Sequence, residues 1–174
     1  MRGGRGSEFL FALRKRHEQT AFPLLDSLQE KLQSLLGQDG LAQYQDYTKN
    51  LVSTLTAQQF KGMMTGTDEA KEEKSKKLFQ LMQEEVQTML SNADLPPDYQ
   101  MVPMLNFRNI ASEQEGEKSV KLLDDVYKQV SGRVNAFLAP EEIEKFQEFK
   151  ELALKNNRNA LMLNRTLMAP ISNP

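Results

Sequence analysis

Val120, Leu123, Tyr127, Val130, Val134 and Phe137 follow one another at steps of three, four, three, four and three residues. An α-helix returns side chains to one face at that spacing, so this stretch predicts a helix with a continuous apolar seam of about two and a half heptads. Ser112-Glu113-Gln114-Glu115 lies just upstream. It reads as a capping box, in which the Ser hydroxyl accepts from the helix N–H three residues on and the acid reaches back. A chain that commits its longest apolar pattern to a helix needs other helices to cover it. No strand alternation and no Asn-Gly hairpin offers an alternative.

Two further boxes divide the chain. In Leu55-Thr56-Ala57-Gln58-Gln59-Phe60, Thr56 and Gln59 make a capping box, with Leu55 and Phe60 as its hydrophobic staple. In Leu138-Ala139-Pro140-Glu141-Glu142-Ile143, Pro140 falls at the first helical position, where a missing N–H costs nothing. Glu141 and Glu142 then face the positive end of the helix dipole, and Leu138 and Ile143 supply the staple. Both boxes predict helix starts. Thr56 opens a short helix to about Met64, closed by Thr65-Gly66-Thr67, and Pro140 opens a last long helix to about Met168.

The remaining segments follow the same logic. Leu25, Leu28, Leu32 and Leu35 mark one stripe of a first helix, with Pro23 at or near its beginning or at a kink. Gly37 reads as its stop, Gln38-Asp39-Gly40 as a turn, and Leu41, Tyr44, Thr48 and Leu51 as one side of a shorter helix. Thr67-Asp68-Glu69 opens a longer helix through a charged run, with Leu78, Leu81, Met82, Val86, Met89 and Leu90 on its apolar face. Tyr99 to Ile110 reads as a crossing loop with about one helical turn. The fold class is all-α, a helical bundle or an open curved assembly of helical hairpins, with four longer and about two short helices.

The 174 residues are enough for one domain with a real core. Residues 1–9, ending in Gly6-Ser7-Glu8-Phe9, read as an expression leader, 10–170 as a single helical domain and 171–174 as a tail. No apolar run is long enough to span a membrane. Cysteine is absent, which removes disulfide and thiol chemistry.

Candidate chemistry is sparse. His17 is the only histidine and sits in the basic cluster Arg14-Lys15-Arg16-His17, so it makes neither a triad nor a metal site by itself. No phosphate loop, HExxH, GxSxG or EF-hand pattern is present. The acidic pairs Asp124-Asp125 and Glu141-Glu142 are sequence neighbours that point in different directions along a helix. The expectation is therefore no catalytic residue, no metal and no cofactor. A net charge of −2 with one short basic patch also argues against nucleic acid as a partner. Phe60, Met63, Met64, Phe79, Met82 and Met89 form the candidate interaction surface, since Met and Phe make adaptable apolar contacts; core filling is the competing reading of the same six.

Leu55-Thr56-Ala57-Gln58-Gln59 resembles the L-T-x-x-Q motif of the Spy-type periplasmic helical chaperones and stress sensors, and Leu138-Ala139-Pro140-Glu141-Glu142 looks like a second, altered copy. The chain is also similar to uncharacterised, often membrane-anchored bacterial helical proteins. That likeness rests on a Leu-Gly-x-x-x-x-Ala-x-Tyr stretch at Leu36 to Tyr44 and a Leu-x-Pro-Glu-x-x-x-x-Phe box at Leu138 to Phe146. The resemblances imply a non-enzymatic extracytoplasmic interaction module of a bacterium, chaperone-like or stress-sensing, periplasmic or carried on a membrane anchor removed from this chain. A cytoplasmic location stays open. The alternative is a regulatory or scaffolding protein that binds one defined partner or forms a homodimer, and an enzyme of unrecognised type is the third reading, ranked below both. The partner is then a protein or an unfolded client.

Overall fold

The computed structural model describes the backbone of residues 4–93, 95 and 99–168, and the side chains of residues 27, 30–93, 95, 99–106 and 108–167. Five α-helices follow in order: α1 (Gly4–Lys61), α2 (Asp68–Asn92), α3 (Phe107–Ala111), α4 (Glu113–Arg133) and α5 (Pro140–Met168). Two 3₁₀ turns, Pro103–Leu105 and Val134–Ala136, lead into α3 and out of α4. There is no strand among the described residues, so the architecture is all-α, four long helices and short ones packed as hairpins. The tail, residues 171–174, lies outside the described residues, as do residues 1–3 of the expected leader and the side chains of Arg14 to His17, Leu25 and Leu28.

Local chemistry sets most of the helix ends. Thr67 caps α2 by accepting from the Ala70 N–H, and Asp68 and Glu69 fill its first turn. Ser112 caps α4 by accepting from the Glu115 N–H at 3.4 Å. Asn106 caps α3 through the Arg108 N–H. Gly66 takes a φ of 109° in the turn before α2, a conformation that side-chain-bearing residues rarely adopt.

The seam of α4 is the centre of the core. Val120, Val130 and Val134 are sealed from solvent, Leu123 and Tyr127 nearly so, and Phe137 packs on the edge. α2 covers one side of α4 with Leu78, Leu81, Met82 and Val86, and α5 covers the other with Phe146, Phe149, Leu154 and Leu161. Four rings lock the junction. Phe60 meets Phe146 edge-on at 5.1 Å between centroids and Phe149 at 5.7 Å, while Tyr127 lies 6.3 and 6.5 Å from the same two rings. Each such side chain contributes about 1.5–3 kcal/mol by leaving water, and the edge-to-face pairs add about 1 kcal/mol.

The first third of the chain departs from expectation. The predicted break at Gly37 is present, since two helices of α1 meet at a kink there, but the separate helices predicted after Leu41 and from Thr56 are one. Gly37 is its only non-helical residue (φ 67°, ψ −179°), and the helix resumes at once instead of entering a turn over 38–40. The physical reason is that neither proline nor glycine occurs from Leu41 to Lys61, so an amide that is already hydrogen-bonded has no need of a cap. The first box is therefore corrected. Thr56 and Gln59 lie inside α1, Leu55 is partly exposed, and no helix begins there.

Candidate interaction surface

The six Met and Phe positions do not form one surface. Phe60, Met64 and Met82 are buried in the core, Met89 packs against it, Phe79 is half-buried and Met63 is exposed. The reading of these residues as a client-binding face is thus corrected for Phe60, Met64 and Met82. They lie on the inward sides of α1, of the α1–α2 turn and of α2, where the adaptable Met side chain fills gaps around the aromatic cluster.

The second box opens α5 and does more than cap it. Pro140 is the first residue of the helix, Leu138 is buried, and Ile143 packs on the core beside it. Glu142 is the only fully buried charged side chain among the described residues. Its Oε2 accepts from the Ala139 N–H at 2.8 Å, the back-reaching half of a capping box. Its Oε1 accepts from the Thr65 N–H at 2.6 Å and the Thr65 hydroxyl at 2.9 Å. The Lys74 ammonium donates to both oxygens at 2.8 and 2.9 Å, and to the Thr65 carbonyl at 3.1 Å.

This clasp joins the turn after α1, the first turns of α2 and the start of α5. Burial pushes the Glu142 carboxyl up, but Lys74, the N–H groups of Thr65 and Ala139, and the Thr65 hydroxyl outweigh it and hold the group at about 2. A carboxylate held that low is a poor base near neutrality, and both its oxygens are already occupied. Its chemistry is that of a fastener. The box pattern marks Glu142, but nothing in the sequence marks Thr65 and Lys74 as its partners, because those contacts span more than 60 positions.

A second polar junction was equally hidden. The Arg165 guanidinium of α5 donates to the Asn109 carbonyl at 2.8 and 3.2 Å and to the Ser112 carbonyl at 3.3 Å, closing the C-terminal end of α3. Gly116 on α4 makes room for it: a Cβ there would lie 1.9 Å from Arg165 Nη2 and 2.9 Å from the Asn109 oxygen.

No clustered chemistry accompanies these junctions. Among the described residues no three His, Cys, Asp or Glu side chains gather as a metal would need. Among the described residues an open depression of about 220 Å³ lies between α2 and the end of α4, rimmed by Lys77, Glu84 and Arg133 over Leu81 and Phe137. That is smaller than a ligand pocket of roughly 300–1,000 Å³. Arg133 is committed there to Glu84 and Glu85 at 2.9 and 2.6 Å. No described helix is long and apolar enough to cross a membrane.

Exposed apolar side chains concentrate on two helices instead. On α1, Leu35 is 83% exposed, and Leu36, Tyr44, Tyr47 and Leu55 also face solvent. On α5, Leu152, Met162, Leu163 and Leu167 are each more than half exposed. No protein-family model matches the chain, and neither does any curated protein or any solved structure.

Proposed function

We propose that this chain is a non-catalytic helical interaction module that docks one defined protein partner along α1. The observation that carries this reading is the exposed apolar line of α1. Tyr44, Tyr47, Leu51 and Leu55 recur at steps of three, four and four after the Gly37 break, Leu51 half-buried and the others exposed, and Leu35 stands almost bare before it. Soluble helices bury such a line, and one left in water marks a contact surface. A chaperone that receives many clients needs a broad adaptable face, and the Met and Phe side chains that would supply it are largely spent in the core. The single-partner scaffold or regulator is therefore favoured over the client-binding reading. The extracytoplasmic location implied by the resemblance to the membrane-anchored helical proteins belongs to the same proposal, and cell fractionation tests it.

Photo-crosslinking tests the docking. A crosslinking residue replaces Tyr47, and the chain is expressed in its native cells. One discrete adduct, lost when Leu35 and Leu55 are changed to Glu in a chain that melts normally, is the expected result. A ladder of many adducts, together with protection of two unrelated clients from aggregation, would return the chaperone reading. No adduct of any kind overturns the docking role of α1.

A further inference from the structure

α1 bends at one residue, and two glycines make the bend possible. Gly37 takes φ 67° and ψ −179°, a region of backbone space essentially reserved for glycine. Nothing lies within 4 Å of the place its Cβ would take, so no neighbour at that point forces the conformation. Gly40 is the second. Residues four apart on a regular helix have Cβ atoms about 5–6 Å apart. Here a Cβ on Gly40 would lie 3.1 Å from the Leu36 Cβ, tighter than such atoms ordinarily approach. The bend folds Leu36 over position 40, and the missing side chain leaves the room for it.

The body of the protein does not clamp this bend. Every residue from Gln33 to Asp39 is exposed. Before Gly37 the helix runs from Gly4 to Leu36, about 50 Å at 1.5 Å per residue. Straightening α1 breaks no buried contact over residues 33–39. It restores the helical hydrogen bonds interrupted at Gly37, and it costs the freedom that glycine loses in a helix. The two effects oppose each other, with no tertiary contact at the bend to decide between them.

We infer that Gly37 and Gly40 form a hinge, and that α1 exchanges between this bent form and a straight one in the free protein. The consequence falls on the apolar line of α1. In a straight helix Leu36 stands eleven residues before Tyr47, close to three whole turns, so the two share one side. Straightening therefore extends the line of Tyr44, Tyr47, Leu51 and Leu55 by one side chain. Bending withdraws Leu36 and folds it over Gly40. The hinge is a property of α1 alone and holds whatever covers that line.

Distances between two spin labels test the hinge. The chain has no cysteine, so Gln33→Cys and Gln58→Cys, both at exposed positions, carry the only labels. Across a straight helix their backbones stand about 38 Å apart, and the bend shortens that. Pulsed dipolar spectroscopy of the labelled chain should show two distances. Gly37→Ala removes the residue that accepts the positive φ, and Gly40→Ala removes the room for Leu36. Each should collapse the two distances to the longer one. Gln38→Ala raises helix propensity at the same place without touching either glycine, and it should leave both distances. Thermal melts confirm that the variants fold. A single distance in the labelled parent, short or long, would overturn the inference. So would a glycine variant that keeps both distances, or a Gln38→Ala shift as large as that of the glycine variants.

Discussion

The Thr56 hydroxyl on α1 lies 2.9 Å from the Tyr127 hydroxyl on α4, and both are buried. The bond joins residues 71 positions apart and seats the phenol beside the aromatic cluster. Burial pushes the Tyr127 hydroxyl pKa up, and the Thr56 contact partly offsets that. Thr56→Ala therefore destabilises by stranding a buried phenol, not by removing a cap, and about 1–2 kcal/mol is expected. Tyr127→Phe should cost about 1 kcal/mol. The double variant should cost clearly less than the two added together, because the second change removes a group already left without its partner. Urea melts of all three measure this. Strict additivity would mean that the two hydroxyls contribute independently.

Glu142 predicts a specific acid sensitivity. Its folded value of about 2 lies below the ordinary carboxyl value of 4.5. The unfolded chain therefore binds a proton that the folded chain refuses. The clasp's contribution is complete above pH 4.5 and is lost as the pH falls toward 2, a change of roughly 3 kcal/mol. Glu142→Gln should destabilise by about 3 kcal/mol at neutral pH, since it leaves Lys74 without its counter-charge in a half-buried site. The gap between parent and variant should close as the pH approaches 2. Denaturant melts at several pH values give the curve, and a gap independent of pH would place the stabilisation elsewhere.

Legibility in the sequence followed the range of the interaction. The seam from Val120 to Phe137 was readable because periodicity is local, and the structure buries it between α2 and α5. The caps Thr67 and Ser112 were readable for the same reason. Thr56 mimics a cap in the sequence because a polar residue followed three positions later by Gln looks alike at a helix start and within a helix; the difference is whether the preceding amides are already bonded. The roles of Lys74, Thr65 and Arg165 depend on partners far along the chain, which no local pattern encodes. Met64 and Met82 were ambiguous in principle, since a soft apolar side chain suits both a core and an adaptable surface, and only packing decides.

Gly116 predicts a steric effect with a polar consequence. Gly116→Ala would place a methyl group 1.9 Å from Arg165 Nη2 and 2.9 Å from the Asn109 carbonyl oxygen. The guanidinium must withdraw, and the end of α3 then loses its donor. Ala is the better helix former by about 1 kcal/mol, so propensity alone predicts stabilisation. Overpacking and the lost charged hydrogen bonds outweigh it, and a net loss of about 1–3 kcal/mol is expected. Adding Arg165→Ala to the Gly116→Ala chain should then cost little more. Thermal melts decide the sign, and a stabilised Gly116→Ala variant would show that Arg165 does not pack against α4.

Ala139 is where the second box falls short of a complete cap. It directly precedes α5, its N–H is already taken by Glu142, and its carbonyl accepts from the Glu142 and Ile143 N–H groups at 2.9 and 3.0 Å. Its methyl group offers nothing to the first-turn N–H groups that lack helical partners. Ala139→Thr supplies a hydroxyl at that position and should stabilise by about 0.5–1 kcal/mol. The control is Thr56→Ser, which keeps a hydroxyl within α1 and should lose stability through the missing methyl group. A helix-cap account of both boxes would instead make Thr56→Ser neutral. Urea midpoints for the two variants, measured above pH 5 so that Glu142 stays charged, separate these accounts. An unchanged or lowered midpoint for Ala139→Thr would show that a hydroxyl at this position does not reach the first-turn N–H groups of α5.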